Sequence, residues 1–238
     1  VSPNPLVVSA HALDTGSGEG FVADAAVFAE LDCRAVCVAT SVLSHGPLPL
    51  DLVARQLDAV QPMGPVAAVR VGFVSGDAQV ELVASFSRRV APAPTVVASP
   101  ARVGATAVLD VATRDAIQRE LFPASRVVVA RATDCAFLAG LEVTDLDGLR
   151  DAAKRLRDLG ARAALVAGLV VRGRVLDLVD DDGKVVVLDT ARIQAPRVPG
   201  LAGAHAAALT AHLARGLPLS GAAEAAQRYI GFRLQRGR

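Results

Sequence analysis

The sequence predicts an α/β fold in which a mostly parallel central sheet carries helices on both faces, with a small antiparallel hairpin late in the chain. Three observations predict it. Short β-branched runs alternate with longer Ala/Leu-rich amphipathic segments along most of the chain, which is the pattern of successive βαβ units. Of the 238 residues 52% are apolar but only 3% aromatic, so the core must be built from Ala, Val and Leu, in a chain large enough to need no disulfide or metal staple. After Gly168 the alternation gives way to two extended runs around an acidic turn.

Taken in order, the extended runs fall at 6–9, 36–39, 67–71, 95–98, 126–130 and 163–166, with helical segments at about 21–31, 50–60, 77–90, 110–121 and 145–159 between them. The best-marked helix follows Thr144, whose hydroxyl is suited to cap it. Leu146, Leu149, Ala153, Leu156 and Leu159 then recur at helical spacing, and Gly160 ends the run. Residues 170–179 and 184–188 read as a hairpin about Asp180-Asp181-Asp182-Gly183, a solvated turn that lacks the alternating ligands of a calcium loop. Two helices, about 201–215 and 220–234, close the chain on either side of Gly216-Leu217-Pro218. With no repeat and no long linker, residues 1–238 read as a single domain.

Charge and composition narrow the function. Lys and Arg number 25 against 24 acids, a formal net charge of +1. With so few aromatics this gives no basic stripe or stacking platform for nucleic acid. The longest uncharged stretches, 35–50 and 198–214, are broken by His, Gly and Pro, which predicts no membrane partner. The first residues show no basic-then-apolar leader, and the expected setting is cytoplasmic. Cys33, Cys37 and Cys135 cannot all pair and read as small buried hydrophobes.

Two segments carry the spacing of a phosphate-binding backbone. Asp14-Thr15-Gly16-Ser17-Gly18-Glu19-Gly20 follows the first strand and opens a helix, where glycines let backbone amides approach a ligand. Its third glycine comes one residue too early for a dinucleotide fingerprint, and Glu19 would set a carboxylate beside the pyrophosphate. Pro199-Gly200-Leu201-Ala202-Gly203-Ala204 leads into a helix, whose first N–H groups and dipole suit an anion. Either segment is equally readable alone as a small-residue connection that packs closely against the sheet.

Read together, the segments resemble one family. The pattern of residues 14–28, Asp-x-x-small-Gly-x-Gly-x-x-Ala-Asp-x-x-x-Phe, resembles the N-terminal motif of hydroxymethylpyrimidine/phosphomethylpyrimidine kinases, members of the ribokinase superfamily. Arg70-Val71-Gly72-Phe73-Val74 is similar to that family's Lys-Ile-Gly-Met-Leu strand end, and Ser99-Pro100-Ala101-Arg102 lies where it has Asp-Pro-Val-Met. Leu138-Ala139-Gly140 matches its Leu-Thr-Gly, and residues 209–219 are similar to the helix after its Gly-Thr-Gly-Cys anion hole. The resemblance runs in order over nearly the whole chain. It implies a ribokinase-like fold, a site at the carboxyl ends of the strands, ATP and Mg2+ as cofactors of an active enzyme, a pyrimidine-like or phosphate-bearing small ligand, and a homodimer.

It also assigns residues. Asp14, Gly18, Gly20, His45 and Phe73 fall at substrate-binding positions, and Arg131, Gly200, Gly203 and Ala204 at anion- and ATP-binding positions. The family's proton-accepting Cys, Asp in relatives, falls on Gly203 or, one residue shifted, on Ala204. Neither can accept a proton, and His205 is the nearest titratable substitute. Asn-x-x-Glu becomes Arg131-x-x-Asp134, which keeps a shorter metal-side carboxylate and adds a cation placed to pair with it or to bind phosphate. The family lysine falls on Ala167. Glu19 stands where a small residue is usual. Only Lys154 and Lys184 are lysines, and neither lies at that position. Three readings follow: a member of this family in thiamine metabolism with impaired or lost phosphoryl transfer, a competent pyrimidine- or pyridoxal-type kinase with a non-standard base, and a non-catalytic protein that binds a small ligand or a partner.

Overall fold

A computed structural model describes residues 4–14, 19–98, 102–103, 106–107, 109–195, 198 and 200–237. Its frame is a nine-stranded sheet of β1 (Leu6–Leu13), β2 (Arg34–Val42), β3 (Gly46–Pro47), β4 (Val66–Val71), β5 (Thr95–Val97), β8 (Val127–Arg131), β9 (Ala163–Val171), β10 (Arg174–Asp181) and β11 (Lys184–Ala191). The spatial order is β11-β10-β9-β8-β5-β4-β1-β2-β3. The six strands from β2 to β9 run parallel, and β3, β10 and β11 add antiparallel edges. A separate two-stranded ladder joins β6 (Arg102–Val103) to β7 (Thr106–Ala107).

Strand alternation divides the apolar residues between two cores. Val8, Ala10, Val69, Val71 and Val128 face one side, covered by α2 (Leu50–Asp58), α3 (Gly76–Arg89), α4 (Val111–Ala116), α5 (Phe122–Ala124), α6 (Cys135–Leu138) and α7 (Leu146–Asp158). Val7, Ala68, Val96, Val127 and Leu165 face the other, under α1 (Gly20–Glu30), α8 (Leu201–Ala214) and α9 (Leu219–Gln235). Burying both faces explains the continuous apolar runs of the central strands. Helix α8 is Ala-rich and lies mostly buried, so its small side chains bring its backbone close to the sheet. That proximity carries the helix start to the strand ends.

The structure corrects the sequence reading in two places. Asp145, not Thr144, caps α7, its carboxylate accepting the Gly148 N–H at 2.8 Å. The predicted run 170–179 is broken at Arg172-Gly173, both at positive φ, so β9, β10 and β11 form two successive hairpins. Arg is an uncommon residue at positive φ, and the turn has no Asn-Gly or Asp-Gly signal. Asp180 and Asp181 consequently belong to β10, where they pair with Arg157 and Arg126 at 3.1 and 2.6 Å. Among the described residues no helix is long and apolar enough to cross a membrane. Cys33 and Cys135 are buried thiols, and Cys37 is half-buried.

Candidate functional site

Two cavities meet at the carboxyl ends of the parallel strands. The smaller, of about 40 Å3, lies where β1, β4, β5 and β8 end: His11 comes from β1, Arg70 from β4, and Ala98 follows β5. Arg131 ends β8, Asp134 follows it, and Ala202 and Gly203 enter from the first turn of α8. The larger, of about 780 Å3, opens between the β9–β11 sheet and helices α8 and α9, with Ala167, Val170, Val175, Ile193, Leu201 and Ile230 among its apolar walls. Among the described residues Glu19, Val129, Arg131 and Ala202 line both and mark the junction.

The floor of the small cavity is polar and buried. Asp24 on α1 accepts the Ser9 hydroxyl at 2.6 Å and lies 3.9 Å from Arg70 Nε. Arg70 also donates from Nη1 to the Val71 carbonyl and, at 3.2 Å, to that of Ala98. Burial raises the Asp24 carboxyl pKa against the opposing pull of Arg70 and Ser9. His11 Nδ1 accepts the Ala12 and Phe73 amides at 2.7 and 3.3 Å, which assigns its proton to Nε2. Burial, with Arg70 adding, holds its pKa well below the ordinary imidazole value, so the ring is neutral. Close packing is absolute at Gly72: a Cβ there would come within 1.8 Å of the His11 ring. At Gly20, which turns the chain at φ +82°, a Cβ would meet the Ala12 carbonyl at 2.3 Å.

Charge concentrates at the junction. Arg131 holds the buried Asp134 in a fork, Nε to Oδ2 at 2.5 Å and Nη2 to Oδ1 at 2.9 Å. It sits in register with Ala167 on β9. Glu19 has its carboxyl pKa raised by burial, with Arg131 opposing and Asp14 adding. The start of α8 faces this group. Gly200, at φ +71°, is its N-cap, and the Ala204 N–H already donates to the Gly200 carbonyl at 2.8 Å. The amides available to an anion are therefore those of Leu201, Ala202 and Gly203. Ala204 itself is buried in the second core and lines neither of these cavities.

The other predicted residues divide. Gly203 faces the small cavity with nothing within 4 Å of a Cβ, and Gly200 lines the large one. Phe73 is packed in the first core, where its carbonyl accepts the Thr40 hydroxyl at 2.6 Å. His45 is exposed on the turn after β2, bonded to Ser44 Oγ at 2.7 Å. Neither lines either of these two cavities. Asp14 is half-buried near Glu19, while Gly18 and residues 99–101 lie outside the described residues. His205 is buried on the large-cavity side, its Nε2 without a hydrogen bond and 3.9 Å from Asp177 Oδ2. Burial lowers its pKa, against Asp177. It does not line the small cavity, so it is not placed to serve a hydroxyl bound there.

Sequence reasoning missed the cluster around His205. Asp177 Oδ1 accepts the Gly168 amide at 2.7 Å and Oδ2 accepts the Gln227 amide at 3.0 Å, tying β9, β10 and α9 together at the wall of the large cavity. It also missed the buried Ser9–Asp24–Arg70 floor. A signal for the floor was present: Ser9 and His11 share one face of an otherwise apolar strand, and Arg70 interrupts another.

A parallel sheet with two cavities joined over the start of a buried helix at its strand ends is the architecture of a ribokinase-like kinase. The solved pyridoxal kinase from Staphylococcus aureus in complex with AMP-PCP superposes with a TM-score of 0.88 at 24% identity, covering 98% of this chain and 88% of that one. Phosphomethylpyrimidine kinase from Clostridium difficile gives 0.79 at 18% identity, covering 96% and 98%. These likenesses are of fold. The family model described as phosphomethylpyrimidine kinase matches residues 14–237. A hydroxymethylpyrimidine/phosphomethylpyrimidine kinase of Synechococcus elongatus is 30% identical over 240 residues, covering 95% of this chain and 90% of the relative. One from Haemophilus influenzae is 27% identical, covering 91% and 86%. The chain belongs to the phosphomethylpyrimidine kinase family.

The metal that the family resemblance implies does not fit the residues present. Both Asp134 oxygens are held by Arg131, so an ion bound there, even through this one carboxylate with substrate phosphates and waters, would have to displace the guanidinium.

Proposed function

We propose that this chain is a hydroxymethylpyrimidine/phosphomethylpyrimidine kinase-like protein of thiamine metabolism in which ATP-dependent phosphoryl transfer is impaired or lost while small-ligand binding is kept. One observation carries the reading: the first turn of α8 presents Gly203 to the small cavity, with open space where a proton-accepting side chain would stand. A missing general base costs about 10²- to 10⁴-fold in rate. Phosphoryl transfer otherwise depends on positioning and charge stabilisation. The binding architecture supports retained affinity: a large cavity for a bulky ligand, a small polar recess joined to it, and helix amides beside their junction.

A competent kinase is favoured by one specific feature. Glu19 borders both cavities and has a raised carboxyl pKa, which suits a proton acceptor working near neutral pH. In that case the hydroxyl of the acceptor gives its proton to the Glu19 carboxylate as its oxygen attacks the terminal phosphorus and ADP leaves. A kinase assay with ATP and hydroxymethylpyrimidine, its monophosphate or pyridoxal, at high enzyme concentration, separates the two. No turnover supports the first reading. Turnover that Glu19→Gln abolishes, with ligand binding unchanged by calorimetry, replaces it with the second.

A further inference from the structure

The junction between the cavities already holds a cation. Arg131 ends β8 with its guanidinium lining both cavities, and its fork to the buried Asp134 fixes it there. A divalent ion at Asp134 would have to displace that pair, leaving the guanidinium without its carboxylate in a partly buried position. Breaking a buried ion pair is costly because one charge is left uncompensated. Beside Arg131, in register on β9, stands Ala167, which contributes no charge to the large cavity. Arg70, buried at the floor of the small cavity, adds a second fixed positive charge whose Nε makes no hydrogen bond. Opposite them the Leu201, Ala202 and Gly203 amides start a helix of 14 residues, whose dipole favours an anion at that end.

We propose that Arg131, locked by Asp134, serves as a permanent internal cation in place of a divalent metal, and that phosphate-bearing ligands bind at the junction without one. The guanidinium gives its Nε–Nη2 fork to Asp134 and offers the ligand a fixed charge that stays protonated at any working pH. A metal is recruited from solution and lost to chelators, whereas this cation is part of the chain. The inference deepens the reading of a ligand-binding family member and concerns binding alone.

Calorimetry on the full chain, with ATP and with inorganic phosphate, each in EDTA and in magnesium chloride, tests it. The expected result for the unaltered protein is binding in EDTA within about threefold of that in magnesium. Arg131→Asn should weaken binding in EDTA by about tenfold or more, the worth of a charged hydrogen bond. It should also make the remaining ATP binding stronger in magnesium, because Asp134 is then left without its cation. Arg131→Lys, which keeps the charge without the fork, should bind weakly but stay independent of magnesium. Binding of ATP by the unaltered protein that is strengthened tenfold or more by magnesium overturns the proposal, as does no binding in either condition. Those outcomes are distinguishable from a failed functional reading, which is decided by turnover.

Discussion

The two cavities are built by opposite means. The small one is lined by buried His11 and Arg70, with buried Ser9 and Asp24 packed behind Arg70, and Gly72 against His11 has no room for a methyl group. The large one is wide and mostly apolar, with Glu19 and Arg131 at the junction and, on another wall, Asp177 satisfied by Gly168 and Gln227. Rigid charge sits where a reacting group would be held, and adaptable apolar surface where a bulky ligand would lie. Between them, Gly203 faces the small cavity with open space where a side chain would stand.

The largest difference is expected when one partner of a buried carboxylate is removed in each region. Arg70→Met leaves the Asp24 carboxylate buried with only Ser9 beside it, and the expected loss of stability is about 3–5 kcal/mol. The double substitution Arg70→Met with Asp24→Leu should recover most of that, because no orphaned charge remains. Gln227→Ala at the large cavity leaves Asp177 with the Gly168 amide and should cost about 1 kcal/mol. Urea unfolding of the three variants measures these differences. Equal costs for Arg70→Met and Gln227→Ala would show that the small-cavity floor is not the more tightly constrained region.

This asymmetry also accounts for what the sequence disclosed. The sheet and its covering helices were legible because Val-rich runs and Ala/Leu periodicity encode them locally. Gly20, Gly200 and the Arg131-x-x-Asp134 spacing were legible too, because each lies within one short segment. The Arg172-Gly173 turn was not, since nothing local marks an arginine at positive φ as a turn residue. Asp177, His205 and Gln227 come from β10, α8 and α9, and only the packing of three elements brings them together. Arg70 and Asp24 were separately visible but their burial was not: a charge in a strand reads as an edge or a surface until the partner is located.

Titration sharpens the comparison further. His11 and His205 are buried, and both have pKa values lowered first by burial; Arg70 adds to the lowering at His11, while Asp177 opposes it at His205. Both rings are neutral in the fold, whereas the unfolded chain takes up protons near the ordinary imidazole value of about 6.5. Below that pH the unfolded state binds more protons, so the stability these rings allow is present above pH 6.5 and is lost as pH falls towards the folded values. The slope approaches about 1.4 kcal/mol per pH unit for each fully shifted group. Asp24 and Glu19, with raised values, act in the opposite direction, so the histidine effect is read as the difference between each variant and the unaltered protein. The loss of stability as pH falls below about 6.5 should flatten more for His11→Asn than for His205→Asn. The reverse order would place the stronger proton linkage at the large cavity.

The smallest expected effect bears most directly on function. A Cβ at Gly203 would meet nothing within 4 Å, and this glycine does not need positive φ, in contrast with Gly20 and Gly72, where a Cβ would strike a carbonyl or a ring. Gly203→Ala should therefore stabilise the protein by about 0.5 kcal/mol, since glycine is the poorer helix former. Phosphate binding at the neighbouring amides should change less than about twofold, because no amide is removed and no contact made. Thermal unfolding and calorimetry check the two halves. If Gly203→Ala destabilises the chain, or abolishes binding, the open space beside α8 is required by the fold or by the ligand. If it does neither, this position has room for a functional side chain and no structural need for glycine.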